Sequence, residues 1–140
     1  MGYQDIKLGI SKMLISKGFA DSGQVFNFKD ETDASVSKKF RIERREIDFD
    51  AEGVEFLNNL VRPVFRFTIA LGFKIGTEKQ TFDYDVSQNL IDTLIAYFNN
   101  PVNYISFCIK MKTRKISTEV VEDHLEALID IEVLDNITLA

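Results

Sequence analysis

The side chains able to do acid–base, covalent or metal chemistry are few in this chain, and they are scattered. The single histidine, His124, stands beside Glu122 and Asp123, a grouping that would suit a general base or a metal ligand. A site needs convergent partners, and no second histidine and no neighbouring cysteine is present, so His124 reads as an exposed structural residue in a polar connection. The single cysteine, Cys108, lies between Phe107 and Ile109. A nucleophilic thiolate needs a base and a low pKa, and although Lys110 is near, no histidine is placed with it. Cys108 therefore reads as a small, semi-buried strand residue. Asp83 and Asp85 flank Tyr84 at the start of a helical pattern, where capping and dipole compensation account for them better than glycoside chemistry does. Asp30, Glu31 and Asp33 cluster at a turn, but the ligand spacing and the later glutamate of a calcium loop are missing. Gly72 to Gly76 has neither the spacing nor the ending of a phosphate loop. The expectation is a non-enzymatic protein with no catalytic residues, no metal and no cofactor.

Charge gives a stronger signal. Lys38-Lys39-Phe40-Arg41-Ile42-Glu43-Arg44-Arg45 holds five positive residues, one acid and an aromatic. A basic strand with interleaved aromatics can bind single-stranded nucleic acid, but a formal net charge of −5 disfavours that for the whole chain, and Glu46, Asp48 and Asp50 dilute the run. Edge protection or a subunit contact fits better. The stretch from Ser117 to Ala140 has seven acids and no Lys or Arg. It reads either as a solvated face or as the acidic half of a subunit interface. In the second case the candidate contact residues are Lys38, Lys39, Phe40, Arg41, Arg44 and Arg45 on the basic side and Glu126, Asp130 and Glu132 on the acidic side.

The elements that must carry these residues follow from periodicity. The chain has 140 residues, which fits a single domain over 1–140. Ile6, Ile10, Met13 and Leu14 predict a helix over residues 4–17, with Gly18 as its stop. Residues 25–49 predict a projecting β-hairpin: Phe26 and Phe28 lie in its first arm, Lys29 to Asp33 form its charged tip, and Val36, Lys38, Phe40, Ile42 and Arg44 share one face of its second arm. Residues 51–62 are open between a helical turn and a crossing loop. From about Arg62 to Lys74 a long strand puts Phe65, Phe67, Ile69, Leu71 and Phe73 on one face and Val64, Arg66, Thr68, Ala70 and Gly72 on the other. Residues 84–98 predict a second helix with the stripe Val86, Leu90, Leu94 and Tyr97 and with Ile91, Ile95 and Phe98 beside it, ended by Asn99-Asn100-Pro101.

Residues 103–114 and 125–134 predict two closing strands, separated by a connection through Ser117 and Thr118 to His124. Pairing them antiparallel sets Lys110, Lys112 and Arg114 against Glu126, Asp130 and Glu132. The fold class is thus α+β: an antiparallel or mixed sheet packed against two main helices, with a projecting hairpin. The single cysteine excludes an internal disulfide and fits a reducing compartment. The first residues carry no basic or apolar leader pattern, which predicts no signal peptide, and no apolar run approaches a membrane span.

The layout, a helix, a polar hairpin, a long alternating strand, a helix and two closing strands, resembles the tail terminator proteins of long-tailed bacteriophages, also called tail-to-head joining proteins. The resemblance covers nearly the whole chain. It is carried by Val64-Phe65-Arg66-Phe67-Thr68-Ile69, by Leu90-Ile91-Asp92-Thr93-Leu94-Ile95-Ala96-Tyr97-Phe98 and by Leu128-Ile129-Asp130-Ile131-Glu132-Val133. It implies a virion structural protein at the tail–head junction, assembled in the host cytoplasm. It also implies a hexameric homo-oligomer, a ring that caps the tail tube protein, ends tube polymerisation and meets the head connector or stopper protein. No membrane partner is implied, and no nucleic acid beyond DNA passing through the ring. The alternative expectation is a small non-enzymatic binding or adaptor module, monomeric or dimeric.

Overall fold

In the computed structural model, residues 3–21, 38–48, 56–57, 60–61, 64–75, 80–104, 108, 110–121, 124–134 and 137–138 are described. Helix α1 spans Tyr3–Ser16 and buries Ile6, Ile10, Met13 and Leu14, the predicted stripe. Its end is a Schellman motif. Gly18 takes φ 90°, the Phe19 amide donates to the Leu14 carbonyl at 3.2 Å, and the Gly18 amide donates to the Ile15 carbonyl at 3.0 Å. Phe19 and Leu14 are both buried, the apolar contact that accompanies this cap. A Cβ at Gly18 meets no atom within 4 Å, so only backbone strain opposes a side chain there. Gly18→Ala is expected to cost about 1–2 kcal/mol in urea unfolding.

Strand β1 is Ala20–Asp21 and β2 is Lys39–Asp48; β3 (Phe56–Leu57) and β4 (Leu60–Val61) follow, and β5 is Val64–Lys74. Helix α2 spans Gln80–Phe98, and a 3-10 turn occupies Pro101–Asn103. Strands β6 (Lys110–Val121), β7 (His124–Leu134) and β8 (Ile137–Thr138) close the chain. The main sheet has the order β1-β2-β5-β7-β6, so the long alternating strand is its centre. Only β1 runs parallel to its neighbour, which makes the sheet mixed. A second sheet, β3-β4-β8, occupies part of the stretch left open by the sequence.

The register explains the core. Phe40 pairs with Leu71 and Ile42 with Ile69, while Leu71 pairs with Ala127 and Ile69 with Ile129. These residues share the face of Phe65, Phe67 and Phe73, and they cluster with Ile6, Ile10 and Leu14 of α1 and Ile91, Leu94 and Phe98 of α2. Both helices therefore cover one face of the sheet.

Several expectations need correction. The projection of the hairpin is not confirmed: its second arm, β2, pairs along its length with β5, and Phe40 and Ile42 lie in the core. The first arm and the tip, residues 25–33, fall outside the described residues. The buried stripe of α2 is Ser87, Ile91, Leu94 and Phe98, so Leu94 of the predicted stripe and Ile91 and Phe98 beside it face the core, while Val86 is exposed. Thr81 and Asp83 lie inside a helix that begins at Gln80, and Asp83 sits in its first turn. Strand β6 starts later than predicted and continues through Ser117 and Thr118 to Val121. The continuation was hidden by a bulge at Arg114, between the pairs Thr113–Ile131 and Lys115–Asp130, which breaks the alternation while the β-branched Ile116, Thr118 and Val120 carry the strand on. A matching bulge at Arg45 interrupts β2 between Arg44 and Glu46. Both bulges flank the level of Phe67. No helix among the described residues is long and apolar enough to cross a membrane.

Candidate functional site: a charged sheet face

The face of the sheet opposite the helices is built by one parity of each strand. From β2 it takes Lys39, Arg41 and Glu43, and from β5 Arg66, Thr68, Ala70 and Gly72. From β7 it takes Glu126, Leu128, Asp130 and Glu132, and from β6 Lys110, Lys112, Lys115, Ser117 and Glu119. Two helices over one face and charged residues on the other is the usual division of a sheet with a single core layer.

Glu43, Asp130 and Glu132 of this face are engaged within the sheet. Glu132 Oε1 accepts a hydrogen bond from Arg114 Nη1 at 2.8 Å and lies 3.3 Å from Arg66 Nε. The second approach is an ion pair by distance without hydrogen-bond alignment. Asp130 Oδ1 accepts from the buried Thr68 hydroxyl at 2.8 Å, directly across the β5–β7 pair. On β2, Arg41 Nε donates to Glu43 Oε1 at 3.1 Å. Of the predicted cross-strand charge pairs, Arg114 with Glu132 forms an ion pair and Lys112 faces Glu132 in register, whereas Lys110 faces Leu134, Asp130 faces Lys115 and Glu126 faces Glu119. Replacing Glu132 by Ala is expected to cost about 1 kcal/mol, the sum of two partly exposed pairs, as a lowered urea midpoint with unchanged helix signal.

Beside these pairs lies a groove of about 840 Å³, lined by Arg66, Thr68, Arg114, Lys115, Ser117 and Asp130 over Leu128. Arg114 to Val120 are exposed at every position on both faces of β6, including Ile116 at 39% and Val120 at 46%. Among the described residues β6 is also an outer strand of the sheet.

The candidate interface residues are therefore split. Lys38 is exposed, with φ 54°, its amide donating to the Gly72 carbonyl and its carbonyl accepting from Ala20. Lys39 and Arg41 stand on the charged face. Phe40 is corrected from contact surface to core: pairing of β2 with β5 places it beside Leu71 beneath the helices. Arg44 pairs with Phe67 in register and Arg45 is the bulge residue; their side chains lie outside the described residues. Glu126, Asp130 and Glu132 sit on one face of β7, half-buried.

The basic group that the sequence reading did not single out as a surface is Lys110, Lys112, Arg114 and Lys115. Its signal was present as four cations in six residues, but it was absorbed into the expected cross-strand pairing.

His124 is corrected as well. It is 2% exposed, because β7 begins at it and sets it between Lys74 of β5 and Val121 of β6. Cys108 is buried outside any strand, with Sγ 3.7 Å from the Tyr104 carbonyl. The two are not brought together with a carboxylate cluster: among the described residues no group of three or more His, Cys, Asp or Glu is arranged to hold a metal ion. What the charged face offers chemically is electrostatic complementarity over a broad surface. Compared with known proteins, the chain matches no protein-family model and no curated protein.

Proposed function

We propose that this chain is a ring-forming structural subunit of the tail-terminator kind, which caps a tail tube, stops its growth and meets the head connector. The observation that carries the reading is the one-sided cover of the main sheet. Both helices pack on the apolar face, and the opposite face keeps a broad array of charges with a groove beside it. Complementary charge of this kind fixes the register between protein surfaces more than it adds affinity, which suits a subunit that must meet copies of itself and a tube in one orientation.

The order of the elements supports the same reading. The three segments that carry the resemblance fall in the central strand β5, in α2 and in β7, the strand hydrogen-bonded to β5. In this reading the partners are further copies of the chain in a hexamer, the tail tube protein and the connector or stopper, with DNA crossing the central hole. Its place is the tail–head junction of the virion.

Light scattering coupled to size exclusion tests the reading, with the chain alone and with tail-tube protein. A mass of several subunits in either condition supports it. A single-subunit mass in both removes it and leaves a small adaptor module as the better description.

A further inference from the structure

The registers divide the main sheet into rows that run from β2 across β5 and β7 to β6. One row is Glu46, Arg66, Glu132 and Lys112, and its charges alternate in sign from end to end. A second is Glu43, Thr68, Asp130 and Lys115, and a third is Asp48, Val64, Leu134 and Lys110. All three begin with a carboxylic residue on β2 and end with a lysine on β6. The rows of Phe65 and Ile69 have apolar residues at both ends, Ile47 with Met111 and Ile42 with Ile116. Lys110, Lys112 and Lys115 therefore stand on one face of β6, and Met111 and Ile116 on the other. The arginines of β2 begin rows whose far ends are uncharged: Arg41 with Ser117 and Arg44 with Thr113.

The two flanks also agree in direction and count. Each of β2, β5, β7 and β6 runs antiparallel to the one before it, so β6 runs opposite to β2. Two copies standing side by side in the same orientation thus bring β6 of one antiparallel to β2 of the other. Two residues separate Glu43 from Glu46, and two separate Lys112 from Lys115, because each strand has one bulge at this level. The bulges therefore leave the rows of the two copies in step. β1 pairs with β2 only at Lys39 and Phe40, so the stretch of β2 that remains for such pairing is Arg41 to Asp48.

Resting on the ring reading, we propose that Lys110 to Ser117 of β6 in one copy pair antiparallel, row for row, with Asp48 to Arg41 of β2 in the next copy. Lys110 comes opposite Asp48, Lys112 opposite Glu46 and Lys115 opposite Glu43. The alternating row of Arg66 and Glu132 then runs on from copy to copy without two like charges meeting. On the helix side Ile116, 39% exposed in the single chain, comes opposite Ile42. Backbone hydrogen bonds between the edges hold the copies, and the charge rows fix the register. Beyond Ser117 the edges part, since β1 occupies the rows of Lys39 and Phe40. The two edges differ, so the contact is head-to-tail. Rows that match at equal level relate the copies by a rotation about an axis along the strands with no rise, the operation that closes a ring instead of building a filament.

The test is disulfide trapping in the full-length chain with Arg41→Cys and Ser117→Cys, the two ends of the row of Ala70. Within one chain they are three strand spacings apart, about 14 Å, too far for a disulfide. Across the contact they are directly opposite, about 4.5–5.5 Å apart and within disulfide reach. A second matched pair, Glu43→Cys with Lys115→Cys in the row of Thr68, carries the same expectation. Each single-cysteine variant reads the background from Cys108. Arg41→Cys with Glu119→Cys, two residues off register and about 7–8 Å apart across the contact, reads chance collision. Circular dichroism verifies that each variant keeps the parent's fold, and sedimentation of the parent, alone and with tail-tube protein, reads assembly. The matched pairs are expected to give about ten-fold or more linked product than the offset pair, ending at the mass the parent assembly shows. Should the parent assemble while the matched pairs link no better than the offset pair, the contact is wrong and the ring reading stands. Linked chains that lengthen without limit keep the contact and overturn the ring. A parent that stays a single subunit in both conditions overturns both.

Discussion

Phe67→Ala is expected to remove about 3–5 kcal/mol of stability, the range for truncating a fully buried phenylalanine. Phe67 is 1% exposed at the middle of the central strand, paired with Arg44 of β2 and Ile131 of β7. Its ring stacks near that of Phe65, with centroids 6.2 Å apart. The loss combines the transfer of apolar surface with a cavity that the neighbours fill poorly, since strands are hydrogen-bonded on both sides of Phe67 and hold the backbone in place. The bulges at Arg45 and Arg114 flank the same level. Domains are stable by only about 5–15 kcal/mol, so this one substitution should take a large share. Urea unfolding followed by circular dichroism measures it. A shift below about 1 kcal/mol would mean that the centre of the sheet is not the centre of the core.

The second large effect separates core from contact surface. Phe40→Ala is expected to cost about 3–5 kcal/mol at concentrations where subunits are dissociated. Phe40 is fully buried against the helix layer and paired with Leu71. Its neighbour Lys39 stands on the opposite, charged face, so Lys39→Ala should change stability by no more than about 0.5 kcal/mol. If Phe40 were a surface contact of a projecting arm, the outcome would reverse: the monomer would keep its stability, and only assembly would suffer. Unfolding measured alongside sedimentation distinguishes the two outcomes.

The sequence reading succeeded wherever a pattern was long and uninterrupted. The five-residue apolar parity of β5 identified the central strand, and the alternation from Leu125 to Val133 identified β7 with its buried face. The stripe of α1 and the glycine stop at Gly18 were legible because helix period and cap chemistry agree. It failed where a single residue broke the count. Arg114 bulges out of β6, so the strand's second half lost parity and read as a connection. For β2, the charged residues of one parity hid the fact that Phe40 and Ile42 seat the strand against β5. Local sequence offered the preceding arm as a partner, whereas β5, which pairs Leu71 with Phe40, lies some thirty positions along the chain, beyond what neighbouring residues reveal. His124 was read from its acidic neighbours, although burial is set by the strands on either side of it.

The charged face was legible in composition but not in arrangement. The acids of β7 were visible as a run, yet only the register shows that Glu132 serves two arginines and that Asp130 accepts from Thr68. Those carboxylates are thereby tied to their own sheet.

Electron microscopy of the purified chain tests the central claim most directly, on a grid prepared from the chain alone and another from the chain with tail-tube protein. Rings with a central hole, free or seated on tube ends, are the expected result. Single-subunit particles on both grids, with tube ends left bare, would contradict it.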